Sequence, residues 1–139
     1  MWQWTAPGGY LVVQDYDMRG VEAYPPLPVV DEWRRVFLGT FAAIGRDIRL
    51  GHRLPSLFAE AAIGQPDGTD VAGRLERLGV AGAMLAATYR SVAPGAIALG
   101  LITEQQRDTW LADMDRAMTD YADHAVLWPL LIAAYKRRV

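Results

Sequence analysis

Proline and glycine punctuate this chain at five places. Pro7-Gly8-Gly9, Pro25-Pro26-Leu27-Pro28, Pro66-Asp67-Gly68, Pro94-Gly95 and Pro129 divide its 139 residues into short segments. Proline fixes φ and has no N–H to donate, and glycine admits positive φ, so each of these sites favours a turn, a loop or a kink. The segments between them are apolar enough, at 52% of the chain, to exclude disorder. A mass of 15.4 kDa suits one domain, spanning residues 1–139, with a core of its own.

The apolar patterns assign elements to the segments. Tyr10-Leu11-Val12-Val13 is a continuous, partly β-branched run, expected as a strand covered on both faces, and it switches abruptly to Gln14-Asp15-Tyr16-Asp17. Asp31 and Glu32 are expected to open a helix, with Trp33, Phe37, Phe41 and Ile44 as its apolar face and Gly45 as its stop. A second helix is expected over residues 54–62, with Pro55 in its first turn. Val71, Gly73 and Leu75 alternate with Ala72, Arg74 and Glu76, the period of a half-exposed strand. Residues 83–99 read as a helix bent or broken at Pro94-Gly95. Thr103 and Gln106 have capping-box spacing ahead of a helical stripe of Trp110, Met114, Ala117 and Tyr121 that runs to about Asp120. Residues 128–135 form a closing strand that tolerates Pro129 only at its beginning. The expected class is α/β, with about three strands and four to five helices.

Charge and composition remove several functions. A net charge of −2 gives no basic face for nucleic acid. With no cysteine there is no disulfide framework, thiol nucleophile or thiolate metal site. The most nearly apolar stretch, residues 79–102, is interrupted by Arg90 and by Pro94-Gly95, so a buried helix is expected there and no membrane span. Met1-Trp2-Gln3-Trp4 lacks the basic start of a signal peptide, which makes the cytoplasm the expected compartment.

Few residues offer chemistry. The triplet Asp15, Tyr16 and Asp17 stands at the carboxyl end of the first strand, where open α/β sheets bind ligands. It reads equally as a site lining and as a helix cap or loop contact to Arg19. His52, between Gly51 and Arg53 just before a helix, is either a surface histidine or a catalytic base, and for His124, after Asp120 and Asp123 at a helix end, the surface reading weighs more heavily. Asp108, Asp113, Asp115 and Asp120 share a helix with Arg107 and Arg116, as on a solvated face with short-range ion pairs. No histidine has a second ligand at metal spacing, and Ser56 and Ser91 lack the context of a nucleophile elbow. Gly79, Gly82, Gly95 and Gly100 do not follow an expected strand in a G-x-G-x-x-G pattern, so no phosphate cradle is expected.

Three segments carry a resemblance. Pro7-Gly8-Gly9-Tyr10-Leu11-Val12-Val13-Gln14-Asp15-Tyr16-Asp17 resembles the fifth strand, with its preceding turn, of class I S-adenosylmethionine-dependent methyltransferases. Gly45-Arg46-Asp47 and residues 50–62, Leu50-Gly51-His52-Arg53-Leu54-Pro55-Ser56-Leu57-Phe58 and onward, resemble the helix that follows in many small-molecule methyltransferases. Trp128 to Arg137 resembles their closing antiparallel strand.

The resemblance covers nearly the whole chain, in order, and implies the C-terminal part of a Rossmann-like methyltransferase sheet. The glycine-rich loop and the acidic residue that hold the cofactor in the family's amino-terminal half have no counterpart here. The chain is therefore expected to start within the domain and to bind no S-adenosylmethionine alone, although the complete family enzyme uses it. The implied function is the substrate-side portion of a small-molecule methyltransferase, with Asp15, Tyr16, Asp17 and His52 as substrate contacts and no catalytic residue assigned. The alternatives are a non-catalytic remnant that dimerises and binds an apolar small molecule, and an isomerase or cyclase using Asp15, Asp17 and His52. The expected partner is a second copy or the missing half, since the strand at Tyr10 has a neighbour on each side in the family fold.

Overall fold

The computed structural model describes residues 1–139, and the chain is mixed α/β with four α-helices and two small antiparallel sheets of three strands. It divides into two units. One, the sheet unit, comprises Met1–Asp17, Arg49–Gly73 and Leu130–Val139; the other, the helical unit, comprises Met18–Ile48 and Arg74–Pro129.

In the sheet unit the strands are β1 (Tyr10–Asp17), β3 (Gly68–Ala72) and β6 (Leu130–Arg137), in the order β1-β6-β3. β6 is central and antiparallel to both neighbours, and it pairs β1 along its whole length, from Tyr10 opposite Arg137 to Asp17 opposite Leu130. A single helix, α2 (Leu50–Glu60), packs on β1 and β6. Leu54 and Phe58 from α2 meet Ala134 of β6 in a small core, flanked by Leu11, Val13 and Ile132.

This arrangement corrects three expectations. The polar switch after Val13 does not end the first strand, which continues to Asp17 because β6 pairs every residue of it. Nor is that strand covered on both faces: Tyr10, Val12, Gln14 and Tyr16 are exposed, while Leu11, Val13, Asp15 and Asp17 face the helix side. The second helix begins at Leu50 rather than at residue 54, so Pro55 lies inside it and His52 is in its first turn.

The helical unit contains β2 (Glu22–Tyr24), β4 (Leu75–Arg77) and β5 (Ala125–Leu127) in the order β2-β5-β4, with α1 (Pro28–Ala43), α3 (Leu78–Ala98) and α4 (Glu104–Asp120). α3 lies against both α1 and α4. Its buried stripe of Leu78, Gly82, Leu85, Tyr89, Ala93 and Ala96 meets Val30, Trp33 and Val36 of α1 and Trp110 and Met114 of α4. Burying an aliphatic or aromatic side chain of this size is worth about 1.5–3 kcal/mol each before entropy is counted. The Trp33 indole N–H donates to the Leu85 carbonyl at 3.0 Å, and that of Trp110 to the Val29 carbonyl at 2.8 Å. Both tryptophans thus bury their rings with the polar edge satisfied.

Here too the sequence expectations need adjustment. α1 opens three residues ahead of Asp31, with Pro28 at its first position, where the missing N–H costs nothing. Gly45, at φ +72°, follows its end as expected, although Ile44 is exposed and lies past the last helical residue. α3 passes through Pro94 without a break, near its C-terminal end, and Gly100 at φ +71° terminates it. The capping box at Thr103 forms as read, with Gln106 N–H donating to Thr103 Oγ1 and Thr103 N–H to Gln106 Oε1. The expected strand around residues 71–76 splits at Gly73-Arg74 into β3 and β4, one in each unit. The closing strand, expected over residues 128–135, begins at Leu130 as β6, after Pro129, and a separate strand, β5, precedes it at Ala125–Leu127. With β2 and β5, which were not expected from the sequence, six strands stand where three were expected.

Candidate functional site

The site is built where α2 begins on the helix-facing side of β1. Gly51 is buried there, and a Cβ added to it would lie 3.1 Å from Ile132 Cδ1 and 3.6 Å from Asp15 Cβ. Only glycine lets the first helical turn sit this close to β1 and β6 without displacing Ile132. That approach sets the next residue, His52, beside the end of the strand.

His52 Nε2 lies 2.9 Å from Asp17 Oδ2. The Asp17 side chain is 9% exposed and that of His52 52%, so the pair joins a buried carboxylate to a half-exposed imidazole. An ionised carboxylate accepts only, so in this contact the Nε2–H of His52 donates to Asp17 Oδ2. A buried carboxylate that fixes the tautomer and orientation of an imidazole is the arrangement enzymes use to hold a histidine for proton transfer or to bind a polar ligand group. Asp15 is half-buried on the same face of β1, two residues earlier.

Of the four residues named from the sequence, the structure brings Asp15, Asp17 and His52 to one face. Tyr16 projects from the opposite face, 55% exposed, because alternate residues of a strand point to opposite sides. It belongs with Tyr10 and Val12, not with the site. Gly51 went unread from sequence, although a glycine directly before a histidine at a helix start was the available signal.

The remaining candidates resolve into structure. His124 Nδ1 lies 3.2 Å from the Pro25 carbonyl, and its ring packs beside Tyr121, all within the helical unit. Along α4, Arg107 pairs with Asp108 and Arg116 with Asp113 on exposed surface, and the Arg107 hydrogen bond holds the Asp108 carboxyl below the usual carboxylate range. No group of three or more histidine or acidic side chains is placed to hold a metal ion. No helix is long and apolar enough to cross a membrane.

Gly79 and Gly82 do follow a strand, contrary to the sequence expectation, since β4 runs directly into α3. They still make no cradle for a phosphate or a nucleoside. The Leu78 and Gly79 N–H groups donate to the His124 and Ala122 carbonyls, and a Cβ at Gly82 would collide with Met118. These glycines serve helix packing.

The sheet unit also carries an apolar groove of about 440 Å³, lined by Trp2, Leu11, Val13, Leu54, Leu57 and Phe58 among others. No family model matches the sequence, and no curated protein matches it.

Proposed function

We propose that this chain is the substrate-side portion of a S-adenosylmethionine-dependent small-molecule methyltransferase, with Asp17 and His52 holding the acceptor. The observation that carries the reading is the makeup of the sheet unit. The three segments that resemble the family, β1 with its Pro7-Gly8-Gly9 turn, α2 and β6, lie far apart in the chain yet pack on one another. β6 pairs antiparallel to β1, as the closing strand of that family does. A Rossmann-like sheet of which these strands form one side is part of this proposal.

The cofactor itself finds no fit among these residues. The glycine turn that follows a strand has its amides engaged by carbonyls, and the strand ends offer no further glycine loop. No transfer step is therefore assigned to the chain alone. What its own residues do is orient an acceptor: the Asp17–His52 pair presents a hydrogen-bonding imidazole, and Asp15 adds a carboxylate on the same face. An acceptor with a hydroxyl or amine suits such a lining.

The apolar groove favours a second reading, a non-catalytic protein that binds an apolar small molecule. Imidazole NMR separates the two. Small hydroxylated and aminated acceptors, added as a panel, are expected to shift the His52 ring signals in the native chain and to lose binding in Asp17→Asn. S-adenosylmethionine is expected to give no heat on titration into the chain alone. A panel that leaves His52 unmoved while apolar probes bind at Phe58 overturns the acceptor reading, and micromolar cofactor binding by the chain overturns the substrate-side assignment.

A further inference from the structure

β1 is the end strand of its sheet, and its pattern fits a copy of itself. Its partner β6 occupies one edge only. The Arg138 N–H donates to the Gly9 carbonyl, and Gly9 is opposite Arg138 in the register that places Tyr10 opposite Arg137. In an antiparallel ladder the hydrogen-bonded pairs alternate, so Leu11, Val13, Asp15 and Asp17 turn their backbone groups toward β6. Tyr10, Val12, Gln14 and Tyr16 then turn theirs toward the open edge. The same four residues carry the side chains of the uncovered face, with Tyr10 58%, Val12 53% and Tyr16 55% exposed.

The outward residues of this edge carry no charge, and the strand's two charges, Asp15 and Asp17, lie on the helix-facing side. β1 has no proline, lysine or arginine, and no bulge interrupts its pairing with β6 over eight residues. Its outward pattern, Tyr-Val-Gln-Tyr, is nearly the same read in either direction. That property is what an antiparallel partner of identical sequence requires.

We infer that two copies of this chain pair their β1 strands antiparallel about a two-fold axis at Val13, joining two three-stranded sheets into one of six. Centred there, Tyr10 faces the second copy's Tyr16 on both sides of the axis and Val12 faces Gln14. On the helix side, Leu11 faces Asp15 and Val13 faces itself. All four outward residues exchange backbone hydrogen bonds, and aromatic pairs cap the ladder at each end. The neighbouring registers pair fewer of the outward residues: centring on Val12 brings Leu11 against Val13 but carries Tyr16 out to Gly8, ahead of the strand. Centring on Gln14 leaves Tyr10 beyond the ladder and puts Leu11 against the buried Asp17. Centring on Asp15 sets two like charges face to face. A strand of another protein meets the same backbone groups, but only a copy supplies the reversed pattern at equal concentration and in closed symmetry.

The inference does not rest on the methyltransferase reading or on the chemistry of His52. Sedimentation velocity on the full chain across a concentration series is expected to show a monomer–dimer equilibrium. Gln14→Pro removes an outward N–H without touching the β6 ladder and is expected to weaken the dimer by about tenfold or more. Because proline in a strand can also disturb folding, crosslinking in this cysteine-free chain gives an independent reading. Val13→Cys is expected to oxidise to a disulfide-linked dimer, while Val12→Cys and Gln14→Cys link only when mixed. A chain that stays monomeric at every soluble concentration overturns the inference. So does a dimer in which Gln14→Cys links to itself and Val13→Cys does not, or one that a folded Gln14→Pro leaves unchanged.

Discussion

In the helical unit, α1, α3 and α4 pack around one cluster that includes Trp33, Tyr89, Trp110 and Met114, whereas in the sheet unit a single helix covers one face of three strands. The first arrangement buries many large side chains and keeps its ion pairs on the surface. The second has only Leu54, Phe58 and Ala134 fully inside, and it holds the buried carboxylate, the imidazole, the apolar groove and the open strand edge. Groups that recognise a ligand must be reachable and partly desolvated, which a fully packed core forbids and a one-sided sheet permits. Under the proposed function, the first unit supplies stability and the second the ligand contacts.

Removing the largest contact in the helical core is the strongest way to break that contrast. Trp33→Ala deletes a buried indole, its stack on Phe37 at 5.0 Å and its hydrogen bond to Leu85. The expected loss is about 3–5 kcal/mol by denaturant titration. Amide exchange is expected to lose protection first along α1, α3 and α4. Equal loss along β1 and β6 would mean that the two units unfold as one block.

A second prediction concerns alkaline pH. Tyr89 stacks on Trp110, its hydroxyl is buried without a hydrogen-bond partner, and burial, with Glu32 nearby, pushes it up to about 12 from 10.0. The folded value lies above the unfolded one, so the neutral phenol's contribution is complete below pH 10 and is lost as pH rises toward 12. The loss amounts to roughly 2–3 kcal/mol. Tyr89→Phe is expected to be neutral or slightly stabilising at pH 7, because no hydrogen bond is removed, and to flatten the alkaline slope in pH-dependent melting.

The smallest effect is expected in the sheet unit, at the opposite end of the pH scale. The Arg137 N–H donates to Asp67 at 2.8 Å, and this bond, with help from Lys136, holds the carboxyl below its usual value of 3.8. A depressed folded value means the contribution is present above pH 4 and disappears as pH falls through the folded value. Asp67→Asn is expected to leave neutral melting nearly unchanged and to make the acid limb shallower. An unchanged acid limb would show that the β3–β6 end takes no stability from this exposed carboxylate.

Much of the architecture was legible because local rules decide it. The capping box at Thr103, the stop at Gly45 and the Trp110, Met114 and Ala117 part of the α4 stripe depend on spacing within a turn or two and formed as read, whereas Tyr121, the stripe's expected last member, is exposed past the helix end. The run at Tyr10 and the segment after Pro129 were legible as strands for the same reason. The site was legible only in part: period two in β1 already separates Asp15 and Asp17 from Tyr16, but nothing local ties Asp17 to His52.

Tertiary structure decided the rest. Whether Tyr10–Val13 is covered on both faces depends on how many layers pack on the sheet, and within the sheet unit α2 covers one face. Pro94 reads as a break, yet α3 runs through it because packing of Ala93 and Ala96 outweighs one lost hydrogen bond near the helix end. Gly73-Arg74 splits one expected strand because each half pairs within a different unit, a choice made by distant strands. The sequence by itself determined periodicity, caps, turns and the absence of cysteine chemistry. The pairing of residues 35 positions apart, Asp17 with His52, came from the close approach that Gly51 allows, because long-range contacts are set by packing and not by local propensity.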